Sequence, residues 1–272
     1  IITMKNRSRK RVQLFFSSIF ICLLHLPFVF AKMKPKVAGT ASETFLLNMP
    51  VANEMLTAEE MAPVTSPVIN SVYDSLKLAS AGLSKQVFEY AMRGFDYLKQ
   101  KGKIGNPNII TIADFSKSSC KKRLFVIDLK NYRVLFNTYV AHGMNSGQEY
   151  AKYFSNIPES NKSSLGFYQT STTYQGKNGY SMHLTGLERG INDNAYNRDI
   201  VMHGAPYVSE NLIQAQGFLG RSQGCPAVPQ KQHKQIIDRI KNGTCLFIFG
   251  EDRNYFQRSS VVKNTMPLLA SK

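Results

Sequence analysis

Acidic side chains are scarce in this sequence. Its 272 residues hold 18 Asp and Glu against 34 Lys and Arg, a formal charge of +16. That shortage points to anionic partners: a cell-wall polymer, a lipid headgroup surface or a carboxylate-rich substrate. Nucleic acid is the other usual partner of a basic chain, but no recognition module is present and none is expected to bind. Histidine and cysteine are also few, five and four. No CxxC, HxH or HExxH spacing occurs, so the common zinc arrangements are excluded and neither metal nor cofactor is expected. No internal repeat is evident, which argues against a solenoid.

The long apolar run lies near the start. Met4 is followed by Lys5, Arg7, Arg9, Lys10 and Arg11, then by a run from Leu14 to Phe30, and Val29-Phe30-Ala31 is an acceptable cleavage triplet. This order predicts a secretory signal peptide over 1–31 and export to the periplasm or cell surface. An uncleaved segment would instead be a single membrane anchor, the chain's only membrane contact. Cys22 lacks the small preceding residue of a lipid-attachment box. Cleavage takes five basic residues and no acidic ones, leaving +11. Three cysteines then remain, Cys120, Cys225 and Cys245, so at least one thiol is unpaired. Whether Cys120 and Cys245 pair stays open.

Residues 32–65 lack sustained periodicity and read as a linker. Ser66-Pro67 and Ser84 each open a helical pattern, giving a helical extension over 66–105 that packs on the rest. From Asn108 the period becomes strand-like. Runs at 108–115, 123–129 and 134–142 are followed by candidate strands at 153–155, 166–169, 180–187, 200–202 and 245–249. Short helices are expected near 211–216 and over 230–241. The strand-rich domain therefore spans 106–252, and 253–272 reads as a loosely ordered basic tail. The fold class is mainly β, α+β in detail: a β-sandwich or open barrel with two N-terminal helices and one after Cys225. A monomer is expected.

The chemistry concentrates between Asp199 and Val228. The strand-like Ile200-Val201-Met202 ends at His203-Gly204, and twenty-two residues after His203 comes Cys225, between Gly224 and Pro226. A thiol and an imidazole on marked turns are the parts of thiolate catalysis. Gly224 permits a turn that gathers the N–H groups of Gln223, Gly224 and Cys225 toward an oxyanion, with Ser222 as a brace. In that geometry His203 takes the thiol proton and the imidazolium holds the thiolate. Asp199 lies too far along the strand to orient the ring, which leaves the Gly204 carbonyl. His233 sits on a predicted amphipathic helix, so schemes that place the base after the cysteine are disfavoured. His142 and His183 read as core or surface residues.

His-Gly-Ala-Pro followed by Ser-x-Gly-Cys resembles the L,D-transpeptidase (YkuD-like) catalytic domain, in the branch with Pro-Ala after the cysteine. ADFSKSSCKKRLFVIDL, VAHG, FSN, SSLGFY, GYSMHLTGLERGINDNA, IVMHGAPYVS and GRSQGCPAV carry the likeness, over roughly residues 80 to 250. The resemblance implies a mainly β catalytic fold and an exported enzyme acting on peptidoglycan stem peptides through a thioester. It implies Cys225 as nucleophile, His203 as base, Gly204 as the orienting carbonyl, and Gln223, Gly224 and Cys225 as the oxyanion hole. Arg221, Ser222, Tyr180 and Arg198 are the candidate substrate-binding residues. L,D-carboxypeptidase activity and a non-catalytic wall-binding role are the alternatives. Two positions depart from the commoner pattern: Gln223 stands where His is usual, and Ala227 where Arg or Asn is usual.

Overall fold

The computed structural model describes residues 66–266, so the expected signal segment and linker lie outside the described residues. Helix α1 (Ser66–Ser75) leads through a short α2 (Leu78–Ala81) to α3 (Lys85–Gln100). Ser84 caps α3 by accepting from the Val87 amide at 3.2 Å, which pairs one of the orphan donors of a helix start. The face of α3 that carries Val87, Phe88, Ala91, Phe95 and Leu98 is buried.

Eight strands follow: β1 (Ile109–Asp114), β2 (Leu124–Asp128), β3 (Arg133–Thr138), β4 (Gly166–Gly176), β5 (Gly179–Gly186), β6 (Val201–Ala205), β7 (Ala227–Pro229) and β8 (Cys245–Phe249). They form one mixed sheet in the order β3-β2-β1-β8-β4-β5-β6-β7. β8 lies at the centre, parallel to β1 and antiparallel to β4. All five of its residues are buried, as expected of a strand covered on both faces. Beyond β3 the chain reaches the far edge, where Ala141 bridges to Ala227 of β7. The sheet therefore closes on itself as a nearly complete barrel, the open-barrel form of the expected α+β fold rather than two stacked sheets.

Helix α3 packs on β1 and β8, while α5 (His233–Ile240) covers β5 and β6. The α4 helix (Glu210–Gln216) lies between β6 and the cysteine turn. Two readings need correction. Residues 153–155 are irregular rather than a strand. The expected basic tail is ordered from 253 to 265 as α6 (Arg253–Arg258) and α7 (Ser260–Thr265). Tyr255, Val261 and Val262 bury there, and Asp252 and Ser259 cap the two helices. Buried Glu188 receives Tyr255 Oη and Ser259 Oγ, so the segment is pinned by a carboxylate as well as by apolar contact. No described helix is long and apolar enough to cross a membrane.

Candidate active site

His203 and Cys225 open into one cleft of about 690 Å³, lined also by Met144, Tyr174, Lys177, Asn178, Arg198, Asp199, Val201, Tyr207, Arg221, Ser222 and Gln223. His203 is in β6, two residues beyond Val201, and Cys225 sits just before β7, whose Ala227 pairs with His203. Parallel pairing of β6 and β7 is what brings the two loop ends together. The imidazole is fixed by its Nδ1–H donating to the Gly204 carbonyl at 3.0 Å, which leaves Nε2 unprotonated as an acceptor. The thiol accepts from the Val201 amide and donates to the Asp199 carbonyl, both at 3.5 Å. Asp199 holds a left-handed conformation with φ 53°, which is one backbone geometry that Asp tolerates better than most residues.

Burial governs the electrostatics. It pushes the Cys225 thiol up, only partly offset by the Val201 amide and the Arg198 charge. Burial also pulls His203 down, against the Gly204 hydrogen bond. Both shifts favour the neutral pair. They run against the thiolate–imidazolium pair expected from the sequence.

The cysteine turn is held from behind. Ser222 Oγ accepts from the Gly224 amide at 3.1 Å and donates to the Cys225 carbonyl at 2.6 Å. Gly224 has φ 120°, and a Cβ there would come within 2.7 Å of the Lys162 carbonyl; only glycine fits. Its amide is committed to Ser222, so of the three expected oxyanion donors Gly224 drops out, and the amides of Gln223 and Cys225 have no protein acceptor among the described residues. Ser222 donates its amide to the His142 carbonyl, and Met144 donates to the Ser222 carbonyl. His142 is anchored in turn by Arg123, a fully buried cation whose guanidinium donates to the Val140 and Lys117 carbonyls and to His142 Nδ1 at 2.7 Å. Burial lowers Arg123 to about 9 and His142 to about 3, the latter with help from the Arg123 charge. His142 is thus a neutral strut that passes Nε2–H to the Gly147 carbonyl.

The sequence profile of the L,D-transpeptidase catalytic domain (YkuD_2) matches residues 79–249. The chain belongs to this family. Its solved relatives are distant. An L,D-transpeptidase from Mycobacterium smegmatis is 12% identical over 53% of this chain and 59% of its own, with a TM-score of 0.33. The helical cell shape determining protein Pgp2 from Campylobacter jejuni is 13% identical over 53% and 48%, TM-score 0.36. An L,D-transpeptidase from Stackebrandtia nassauensis is 14% identical over 67% and 76%, TM-score 0.33. The chain thus spans under two thirds of the length of the first of these relatives. No curated protein sequence matches it.

Within this L,D-transpeptidase domain the remaining sequence candidates separate. Arg221 lines the cleft, with Nη1 donating to the Met144 and Gly147 carbonyls. Arg198 lines it too, but its guanidinium is occupied by Ser155 O, Ser164 Oγ, Ser160 Oγ and Lys162 O. Those bonds clamp the 155–164 loop beneath the turn, while Nε is buried without a partner among the described residues. Tyr180 is not in the cleft. It alternates with Ser181, which pairs with His203, so it faces the other way and donates to Asp238 of α5 at 2.7 Å. His233 abuts Gly204: a Cβ on Gly204 would lie 2.5 Å from its ring. His183 stacks on Tyr174.

Sequence reading missed Tyr174, Lys177, Asn178 and Tyr207. Lys177 and Asn178 form the turn between β4 and β5, far along the chain from Cys225, and the pairing of β5 with β6 places that tip beside His203. Its signal was a two-residue gap between Gly176 and Gly179. Cys120, Cys225 and Cys245 are all free. Among the described residues no group of three His, Cys, Asp or Glu is placed to hold a metal.

Proposed function

We propose that the protein is an exported cysteine L,D-transpeptidase that acts on peptidoglycan stem peptides through a thioester. The observation that carries this reading is the shared cleft of Cys225 and His203, with Nδ1 of the imidazole tied to Gly204 and Nε2 left to act as base. Sulfur attacks the carbonyl after the third stem residue while its proton passes to Nε2 of His203. The C–N bond to the terminal D-amino acid breaks, and the leaving amine takes that proton. The amides of Gln223 and Cys225 stabilise the oxyanion, and Gly224 with Ser222 shapes the turn. Arg221 and Lys177 supply positive charge for substrate carboxylates. An amine of a second stem peptide then attacks the thioester, releasing the thiol. Water in its place makes the same protein an L,D-carboxypeptidase.

Incubation with purified tetrapeptide muropeptides tests this. The terminal D-amino acid is released by the wild type, is not released by Cys225→Ala, and is released roughly 10²- to 10⁴-fold more slowly by His203→Ala, the usual loss of a general base. Crosslinked dimers mark transfer and trimmed monomers mark hydrolysis. Binding without turnover by both wild type and Cys225→Ala would refute the enzyme and leave a wall-binding protein.

A further inference from the structure

The sheet face that carries His203 continues beyond the cleft as a row of aromatic rings. Ser181 pairs with His203, His183 with Val201, and Tyr174 with Ser181. Directly paired residues share a face, and so do alternate residues of one strand. Tyr174, His183 and His203 therefore look out on the same side. Tyr174 stacks on His183 at 4.4 Å and 15°, and Tyr196 follows at 5.6 Å and 38°. Tyr174 also lines the cleft, so the row begins at the active site and runs outward from it.

Part of this row has a local purpose. The ring of Tyr174 lies over Gly176, where a Cβ would meet it at 2.6 Å, and so braces the β4–β5 turn. Tyr196 needs another explanation. It stands at the outer end, 65% exposed, and its hydroxyl has no hydrogen-bond partner among the described residues. Single exposed apolar residues are ordinary, but three rings in register and continuous with a cleft are not. Uncharged amides adjoin them: Asn178 at the turn and Asn197 beside Tyr196 in sequence. Flat apolar rings beside neutral donors and acceptors match the C–H face and hydroxyls of a sugar ring. One cation, Lys177, shares the turn with Asn178 at the cleft end of the row, whereas the outer end is built by Tyr196, away from that charge.

We propose that the Tyr174–His183–Tyr196 ladder is a saccharide-binding surface that holds the glycan bearing the stem peptide. The preferred substrate is then a sugar-linked peptide rather than a free one. This rests on the function proposed above and narrows its substrate.

The test compares kcat/KM for release of the terminal D-amino acid from free tetrapeptide and from disaccharide-linked tetrapeptide. The wild type prefers the linked form by about tenfold, the scale of an exposed aromatic contact. Tyr196→Ala brings the ratio near one, chiefly through KM on the linked form, and Tyr196→Trp retains the preference. Equal rates on both substrates in the wild type, or a preference kept by Tyr196→Ala, would overturn the proposal while leaving acyl transfer intact. Turnover of neither substrate would refute acyl transfer. Retention on peptide-free glycan chains then decides the surface alone: loss in Tyr196→Ala supports it, and equal retention overturns it.

Discussion

Cys225 and His203 are 9% and 4% exposed, although both open into a cleft. At that depth the cost of bare charge outweighs the pull of neighbouring dipoles, so the thiol rises and the imidazole falls. The hydrogen bonds agree, because a thiol that donates to the Asp199 carbonyl keeps its proton. Reactivity should therefore appear only as substrate arrives. Unliganded Cys225 alkylates with iodoacetamide at a rate that climbs steadily with pH into the alkaline range, since thiolate forms only above its ordinary pKa. The acid limb of kcat/KM lies on the acid side of the ordinary histidine range, because burial lowers His203 and it takes a proton only there in the free enzyme. An alkylation rate that is flat from pH 5 to 8 would show a preformed ion pair and overturn this account. Ala227 also finds its reason at this scale. It is fully buried beside Ala141, Ala205, Val208 and Leu219, so a larger Arg or Asn there would have to displace that cluster, and in the proposed function carboxylate recognition falls to Arg221 and Lys177, which line the cleft.

Among the elements, α3 has a position where two rules oppose each other. Gly94 lies inside the helix, and replacing glycine by alanine there should gain about 1 kcal/mol of propensity. A Cβ at Gly94, however, would come within 2.1 Å of Phe167 Cζ. Phe167 is fully buried and stacked on Phe247 at 4.3 Å, so its ring has nowhere to move. Overpacking of a tight core costs about 1–3 kcal/mol and should win. Gly94→Ala is expected to lower the midpoint of thermal unfolding, and an unchanged or higher midpoint would show that the ring yields. The same dependence on tertiary contact separates what the sequence revealed from what it hid. The runs that became β1, β2 and β8 were legible because β-branched and aromatic residues cluster there. β7 was not: three residues ending in Pro229 form a strand only because β6 lies alongside. Residues 253–266 were misread because Arg253, Arg258 and Lys263 mask the apolar set Tyr255, Val261 and Val262. That Cys225 and His203 share a cleft, with the imidazole tied to the Gly204 carbonyl, was legible from local turn chemistry. The positions of Tyr180, outside the cleft, and of Arg198, held by the 155–164 loop, were not legible, because strand alternation and that loop decide where those side chains point.

Across the whole molecule the proposed function calls on two kinds of attraction for the wall, acting over different ranges. In the proposed exported form the expected charge of +11 draws an anionic polymer from a distance that salt controls: the screening length is about 30 Å at 0.01 M and about 8 Å at 0.15 M. The aromatic ladder acts only on contact and through uncharged groups, so salt should leave it nearly untouched. Retention of the protein on purified wall sacculi should therefore fall severalfold across that range of ionic strength. Tyr196→Ala should lower retention at every salt concentration and leave the slope parallel to that of the wild type. Retention indifferent to salt would mean that the basic surface does not steer the chain to its polymer. A slope that flattens in Tyr196→Ala would mean that the ladder works through charge, contrary to the neutral chemistry of its rings and amides.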